Sequence, residues 1–263
     1  GYIGSKLVGS LLKANDISLA SDPLFEVVAY DNLMYNQTSL LQYVGNPAFR
    51  FVKGDIRDIH TLRREIEKAD KVIHLAAWVG APLCDNDPKA ATEINHSATE
   101  SIIACLSPSQ EIIYPMSNSG YGIGGEELCT EESPLNPISL YGKTKVNGEK
   151  SVLSHPKSTV LRLATVFGAS PRPRLDLLVN DFTWKAWKEK CLVLFESHFR
   201  RNYIHVADVC YVIMFFLRRG GEGEIYNVGL SNANLTKKEL ALCIQEILPE
   251  TTIIESEIGT DPD

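Results

Sequence analysis

The chain has 263 residues and a formal net charge of −7, from 26 Lys and Arg against 33 Asp and Glu. This length allows one large domain or two small ones around a sizeable core, while the acidic balance argues against non-specific nucleic-acid binding, which needs clustered Lys and Arg. The longest uncharged apolar run, Val209–Leu217, is too short to cross a bilayer as a helix, and the composition excludes a disordered tail, collagen and a disulfide mini-domain.

In chain order, a helix is predicted over Gly4–Ala14, followed by an inserted loop over Asn15–Phe25 and a strand over Glu26–Asp31. Further strands are expected at Phe49–Asp55, Lys71–Ala77, Glu111–Ser117, Thr159–Gly168 and Ile225–Gly229. Further helices are expected at Thr61–Ala69, Pro88–Leu106, Leu140–Leu153, Leu175–Lys190 and Val206–Arg218. The strands are short, rich in Val and Ile and nearly continuous in hydrophobicity, as strands covered on both faces are. Their alternation with helices predicts an α/β protein, with parallel strands and right-handed crossovers in an open, doubly wound sheet. From Pro171 the rhythm loosens: Pro171–Arg174 is a loop, the helix after it carries Trp184 and Trp187, and Thr236 with Glu239 makes an S/T-x-x-E capping box. This tail suggests a small C-terminal lobe closing over the edge of the sheet where open α/β proteins bind ligands. No strand precedes the glycine turn at Gly1 and no closing element follows Thr260–Asp263, so the chain reads as lacking the first strand and the C-terminal end of such a fold.

The six cysteines (Cys84, Cys105, Cys129, Cys191, Cys210, Cys243) are far apart and form no C-x-x-C pair, so no metal site is expected. Scattered buried thiols in a reducing compartment are the reading. The opening Gly-Tyr-Ile-Gly-Ser resembles no signal peptide, which leaves the cytoplasm as the expected location.

Glycines at Gly1 and Gly4 leading into a helix suit a turn whose backbone approaches a pyrophosphate. Asp31 ends the next strand, where a carboxylate accepts hydrogen bonds from adenosine ribose hydroxyls. Asn32 and Leu33 bring no cation for a 2′-phosphate, which favours NAD over NADP. Tyr141 and Lys145 lie four apart and share a helix face. A neighbouring ammonium would stabilise the phenolate and lower the Tyr141 pKa toward working pH. Ser117, at the end of a buried strand, can reach a substrate oxygen that gains or loses a proton. His74 reads as a hydrogen-bonded core imidazole, His205 as a local partner at a helix start, and Trp184 and Trp187 as packing residues. Cys84 follows the strand at Lys71–Ala77, and Arg172 with Arg174 could clamp a phosphate.

Gly1-Tyr-Ile-Gly-Ser, Asp31-Asn, Gly54-Asp-Ile-Arg-Asp58, His74-Leu-Ala-Ala77, Ser117 through Tyr121-Gly122, Tyr141-Gly-Lys-Thr-Lys145, Leu161-Arg-Leu and Arg201 through Asp208 occur in that order. Together they resemble an extended short-chain dehydrogenase/reductase of the NAD-dependent nucleotide-sugar epimerase/dehydratase family, over essentially the whole chain. The resemblance implies a Rossmann-like NAD-binding domain over 1–170, with 200–230 returning to it, and a substrate-binding lobe from 171–199 and 231–263. It implies pyrophosphate contacts from Gly1, Tyr2, Ile3 and Gly4, adenosine ribose contacts from Asp31 and Asn32, and adenine-edge contacts from Asp55 and Ile56. Leu75, Ala76 and Ala77 would line the cofactor, with Asn95 packing below it. Tyr141 resembles the general acid/base, Lys145 its partner on the nicotinamide ribose, and Ser117 the hydroxyl that polarises the reacting oxygen. Arg201 matches an arginine that binds the nucleotide diphosphate. A homodimer through the helices at Pro88–Leu106 and Leu140–Leu153 is also implied.

Two departures bear on the reaction. Where sugar 4,6-dehydratases carry an acidic pair after the catalytic hydroxyl residue, this chain has Asn118 and Ser119, which disfavours loss of water. Thr165 stands where many epimerases have an Asn contacting substrate. With Arg174, these residues complete the candidate substrate set. The expected function is an NAD-dependent epimerase acting on a nucleotide-diphosphate sugar through a transient keto sugar. The alternatives are a dehydrogenase/reductase or dehydratase of the same family, or a non-catalytic nucleotide-binding protein on this fold.

Overall fold

The computed structural model of the chain describes residues 1–17, 24–122 and 128–256. Helix α1 (Tyr2–Ile17) leads to strand β1 (Val27–Asp31), which pairs in parallel with β2 (Phe49–Lys53), Asp31 lying opposite Lys53. Helix α2 (Ile59–Ile66) and strand β3 (Lys71–Ile73) follow, then α3 (Ala81–Asn86), α4 (Pro88–Thr92), a π-helical turn over Glu93–Ser97, and α5 (Ala98–Cys105). Strand β4 (Glu111–Ser117), helix α6 (Leu140–Leu153), strands β5 (Ser158–Leu163) and β6 (Thr165–Phe167), and helix α7 (Leu178–Glu189) come next. The remaining elements are β7 (Cys191–Phe195), β8 (Arg200–His205), α8 (Val206–Arg219), β9 (Glu224–Val228), β10 (Asn234–Thr236), α9 (Lys237–Ile247) and β11 (Thr252–Ser256).

The central sheet is wholly parallel in the order β3-β4-β5-β9. Every residue of β5 is buried, which is why that stretch of sequence lacks polar alternation. Side chains alternate between two cores. Ile113, Leu161 and Leu163 join Leu7 and Leu11 of α1 and Ile213 and Phe216 of α8 on one face. Ile112, Tyr114, Met116 and Val160 meet Leu62 and Ile66 of α2, Ile102 of α5, and Val146 and Val152 of α6 on the other. A third core joins Phe182 and Ala186 of α7, Leu192 and Leu194 of β7, Tyr203 of β8, and Leu240 and Ile244 of α9. Around it lie a β10-β8-β6 sheet and a parallel β7-β11 pair. The expected doubly wound α/β architecture is thus the observed one.

Several boundaries differ from expectation. The single strand at Thr159–Gly168 is two, because Ala164 donates its N–H to the Val228 carbonyl at 2.8 Å and the chain then leaves the central sheet for β8. The strand at Lys71–Ala77 ends at Ile73, where Leu75 turns back to donate to the Ile73 carbonyl, and the strand at Phe49–Asp55 ends at Lys53. The helix at Pro88–Leu106 is α4, the π-helical turn and α5 in series. Helix α1 starts at Tyr2 rather than Gly4, since Ser5 already donates to the Gly1 carbonyl. The capping box at Thr236 and Glu239 is present with both reciprocal bonds. Residues 18–23 of the expected inserted loop, and the segment Thr260–Asp263, lie outside the described residues.

The cysteines are also more varied than expected, with Cys84 and Cys210 buried but Cys129 and Cys243 exposed. Trp184 and Trp187 are 40% and 56% exposed, against the packing role expected of them, because their side of α7 faces away from the third core.

Gly168 controls the exit from β6. It has φ +109°, and a Cβ there would lie 2.2 Å from His205 Nε2. Its N–H donates to Asn180 Oδ1 at 2.9 Å and its carbonyl accepts from Tyr2 Oη at 2.6 Å. Gly168→Ala is therefore expected to lower stability by about 1–3 kcal/mol, through strain and steric conflict together. A urea unfolding midpoint equal to wild type would contradict this.

Candidate active site

Ser139 caps α6 by accepting a hydrogen bond from the Gly142 N–H at 3.1 Å, which fixes where the first helical turn begins. Tyr141, Lys145 and Glu149 then recur at four-residue spacing on one face. Opposite them, β4 ends at Ser117 and the chain turns through a short 3₁₀ helix over Asn118–Tyr121. The Ser119 N–H and hydroxyl donate to Ser117 Oγ at 3.2 and 3.0 Å. The Ser117 hydroxyl acts on the Tyr141 phenol and favours its ionised form, so the two expected proton-handling oxygens share one site.

Burial pushes the Tyr141 phenol up to about 12; the Ser117 hydrogen bond and the positive charge of Arg174 oppose this, and Cys84 adds to it. The phenol is therefore raised and not lowered as the Tyr141–Lys145 spacing led us to expect, because desolvation outweighs the groups that favour the phenolate. The Lys145 side chain is 4% exposed, and its Nζ stands 3.8 Å from the centre of the Tyr114 ring. Desolvation brings its amine down to about 7, partly countered by the Glu149 carboxylate. His74, buried and bonded through Nε2 to Thr99 Oγ1 at 2.9 Å, is the core imidazole expected; burial, and secondarily Lys145, hold it down to about 3.

Asn95 sits in the π-helical turn, 1% exposed. Its Oδ1 accepts from the Trp78 N–H at 2.8 Å, and its Nδ2 donates to the Trp78 carbonyl at 2.9 Å and to Thr144 Oγ1 at 3.3 Å. Its polar atoms thereby clamp the chain after Ala77 onto α6. Cys84, fully buried, lies against the Trp78 carbonyl at 3.6 Å.

The candidate cofactor residues converge at the C-terminal ends of β1, β2 and β3. Tyr2, Ile3 and Gly4 form the first turn of α1, whose N–H groups have no intrahelical partner. The Gly1 nitrogen lies 3.2 Å from Asp31 Oδ2. Asp31 Oδ1 also accepts from the Leu33 N–H at 2.7 Å. Asn32 donates to Asp55 Oδ2 at 3.2 Å, joining the two positions expected at ribose and adenine. Arg57, bonded to both Asp55 oxygens, holds that carboxyl well below the usual range. Ile56 packs against the core beneath α2, and Leu75 reaches within 3.5 Å of where a Cβ on Gly4 would stand. Ala76 and Ala77 continue this partly buried wall. Free helix N–H groups beside a carboxylate, with a buried amine farther in, are a donor and acceptor set that fits a dinucleotide.

The candidate substrate residues are less tightly grouped. Asn118 and Ser119 belong to the Ser117 turn, and Arg174 acts electrostatically on Tyr141 and on Tyr35 while bonded to Asp176, its Nε lying 2.7 Å from Oδ1. Arg172 instead stacks on Tyr35, its guanidinium carbon 4.4 Å from the ring centre. Thr165 lies in β6 opposite Tyr203, and Arg201 in β8 opposite Leu235, so their strands belong to another sheet from the one that carries Ser117.

The sequence profile of the NAD dependent epimerase/dehydratase family matches residues 1–229. The chain belongs to this family. A dTDP-glucose 4,6-dehydratase of Streptomyces griseus is 30% identical to it, over 91% of this chain and 74% of the relative. Among solved structures, the Streptomyces venezuelae dTDP-glucose 4,6-dehydratase DesIV, solved with NAD bound, has a TM-score of 0.82 at 26% identity, covering 98% of this chain and 83% of its own. The UDP-glucose 4-epimerase of Thermotoga maritima shares the fold with a TM-score of 0.83 at 22% identity, covering 100% of this chain and 84% of its own. Family members of either reaction type thus share this architecture.

Within this family frame, the sequence reading missed Glu149. Its signal was the third step of the Tyr141–Lys145 spacing. It also assigned no role to Arg162, although the Leu161-Arg-Leu pattern places a cation inside a buried strand. Tyr35 was missed as well; it stands between Leu33 and Asn36, both with positive φ, near 58° and 49°.

The Lys145 amine should titrate near 7 rather than at its ordinary 10.5 in the cofactor-free protein. Between those values the folded chain holds fewer protons than the unfolded one, so this group makes stability rise with pH across that window. Lys145→Met should flatten the rise between pH 7 and 9.5 in urea titrations. Equal slopes for variant and wild type would contradict the assignment.

Proposed function

We propose that the protein is an NAD-dependent epimerase acting on a nucleotide-diphosphate sugar. The observation that carries this reading is the turn at Ser117: its hydroxyl acts on the Tyr141 phenol, and the next two positions are an amide and a second hydroxyl that bonds back to Ser117. That set can move a proton at a sugar hydroxyl. Loss of water from the sugar needs an additional acid to protonate the leaving hydroxyl, and neither Asn118 nor Ser119 is one.

Gly1, Tyr2, Ile3, Gly4, Asp31, Asn32, Asp55, Ile56, Leu75, Ala76 and Ala77 would hold the dinucleotide, with Asn95 fixing the wall beside it. When bound, NAD supplies a hydride acceptor that can return the hydride within one catalytic cycle. Tyr141 accepts the proton of the sugar hydroxyl and Ser117 orients the same oxygen. Lys145 would hold the ribose and supply the positive charge that the phenolate needs. The keto sugar would turn its other face before Tyr141 returns the proton to the same oxygen. Arg174 and Arg201 bind the diphosphate, Thr165 faces the sugar, and 171–199 with 231–263 form the lobe that covers it. A homodimer through the helical segment Pro88–Leu106 and α6 completes the proposal. Among the described residues no helix is long and apolar enough to cross a membrane.

The dehydratase reading stands second, favoured by the 30% identical relative with that name. Incubation with UDP- and dTDP-sugars separates them. Epimerisation interconverts isomers at constant mass, whereas dehydration lowers product mass by one water; a dehydrated product would overturn the proposal.

Tyr141→Phe keeps the ring but removes the oxygen that carries the proton. Turnover should fall by about 10²–10⁴ while NAD affinity changes little. A variant with wild-type turnover would end the proposed mechanism. Asp31 gives a second test, because a 2′-phosphate would meet its carboxylate. NAD should bind more tightly than NADP in parallel titrations, and equal affinities would remove Asp31 from the ribose site.

A further inference from the structure

We infer that Glu149 and Arg162 are positioning residues: their buried ion pair locks the helix bearing Tyr141 and Lys145 to the turn bearing Ser117, and sets the negative field in which Lys145 is held. The inference rests on the proton-handling role proposed for Tyr141, Lys145 and Ser117. Glu149 and Arg162 side chains are 3% and 4% exposed. Arg162 grips the carboxylate with two bonds, Nη2 to Oε1 at 2.6 Å and Nε to Oε2 at 3.0 Å. Its Nη1 donates to Tyr121 Oη at 2.8 Å and to the Glu131 carbonyl at 2.9 Å. Tyr121 in turn donates to Asn227 Oδ1 at 2.6 Å, tying the group to β9.

These contacts close a ring. From Ser117 the chain runs through the 3₁₀ turn to Tyr121, then by hydrogen bonds to Arg162 and Glu149, and back along two turns of α6 to Tyr141, whose phenol the Ser117 hydroxyl acts on. A buried pair of this kind is seldom more stabilising than apolar side chains of the same volume, whereas a bidentate pair fixes distance and orientation. Its worth here is therefore in alignment. Lys145 is faced by Glu149 on its own helix, with the Arg162 guanidinium of β5 behind that carboxylate, by Tyr114 from β4 and by His74 beyond β3. Burial keeps both phenols and the imidazole neutral at pH 7, which leaves Glu149 as the carboxylate among them.

Two variants separate the parts of this role. Glu149→Gln removes the charge but keeps the shape, and Tyr121→Phe cuts the link to the Ser117 turn but keeps the charge. In ¹³C NMR of protein labelled at lysine ε and tyrosine ζ carbons, Glu149→Gln should lower the Lys145 titration midpoint by about one unit or more. Tyr121→Phe should leave that midpoint in place and broaden or shift the Tyr141 signal. With whichever nucleotide sugar the wild type converts, Tyr121→Phe should lower kcat about tenfold with KM within about twofold, the pattern of a lost transition-state alignment. If Glu149→Gln does not fold, the apolar pair Glu149→Leu/Arg162→Met replaces it; a cation then leaves with the carboxylate, so the Lys145 midpoint should fall by less than in Glu149→Gln, while the Tyr141 signal should broaden or shift. An unmoved Lys145 midpoint, or an unchanged Tyr141 signal in Tyr121→Phe, overturns the inference. A wild type that converts no nucleotide sugar overturns the proposed function instead, and the NMR measurements alone then decide the role of the pair.

Discussion

One face of α6 carries Tyr141 partly, and Lys145 and Glu149 almost wholly, out of water, and the surrounding elements are arranged to make that desolvation tolerable. An ionisable group taken from water loses its charge or acquires partners. Here the phenol stays protonated, the amine rests against an aromatic face, and the carboxylate has a bidentate guanidinium. Each compensation comes from a different part of the central sheet: Ser117 and Tyr114 from β4, Arg162 from β5. The site is consequently a property of how α6 seats on the sheet.

That seating depends on the sheet being covered on both sides. The α1 and α8 layer and the α2, α5 and α6 layer share strands whose side chains alternate between them. Asn95 adds a polar clasp between the chain leaving β3 and Thr144 of α6. At Ala164 one continuous stretch of chain passes from the central sheet into the β10-β8-β6 sheet. Arg162, on one side of that break, anchors the candidate proton-transfer site; Thr165, on the other, belongs to the candidate sugar-facing side.

The features legible in the sequence were those set by local periodicity. The i, i+4 spacing put Tyr141 and Lys145 on one face, and the uniform hydrophobicity of Glu111–Ser117 marked a strand with both sides covered. The paired edges of β7, β8, β10 and β11 were not legible. Arg200–His205, for instance, reads as polar and becomes a strand only because Thr165–Phe167 and Asn234–Thr236 flank it. Long-range hydrogen bonds decide such segments, not their own pattern. The protonation of the site was misread for the same reason: Lys145 looks like a charge beside a phenol in sequence, but the fold places its amine over Tyr114 and buries it. The Glu149–Arg162 pair joins a helix to a strand, and no spacing rule announces it.

The packing of α1 on α8 also bears on how the chain acquires this structure. Leu7 and Leu11 share a core with Ile213 and Phe216, although residues 18–205 separate the two helices. On a ribosome adding roughly 5–20 residues per second, the first helix waits on the order of ten seconds or longer for its partner. Strand β9, which completes the sheet beside β5, emerges later still. Through that interval the apolar stripe of α1 has no native cover from α8. Closure of that core is then gated by synthesis of residues beyond 206.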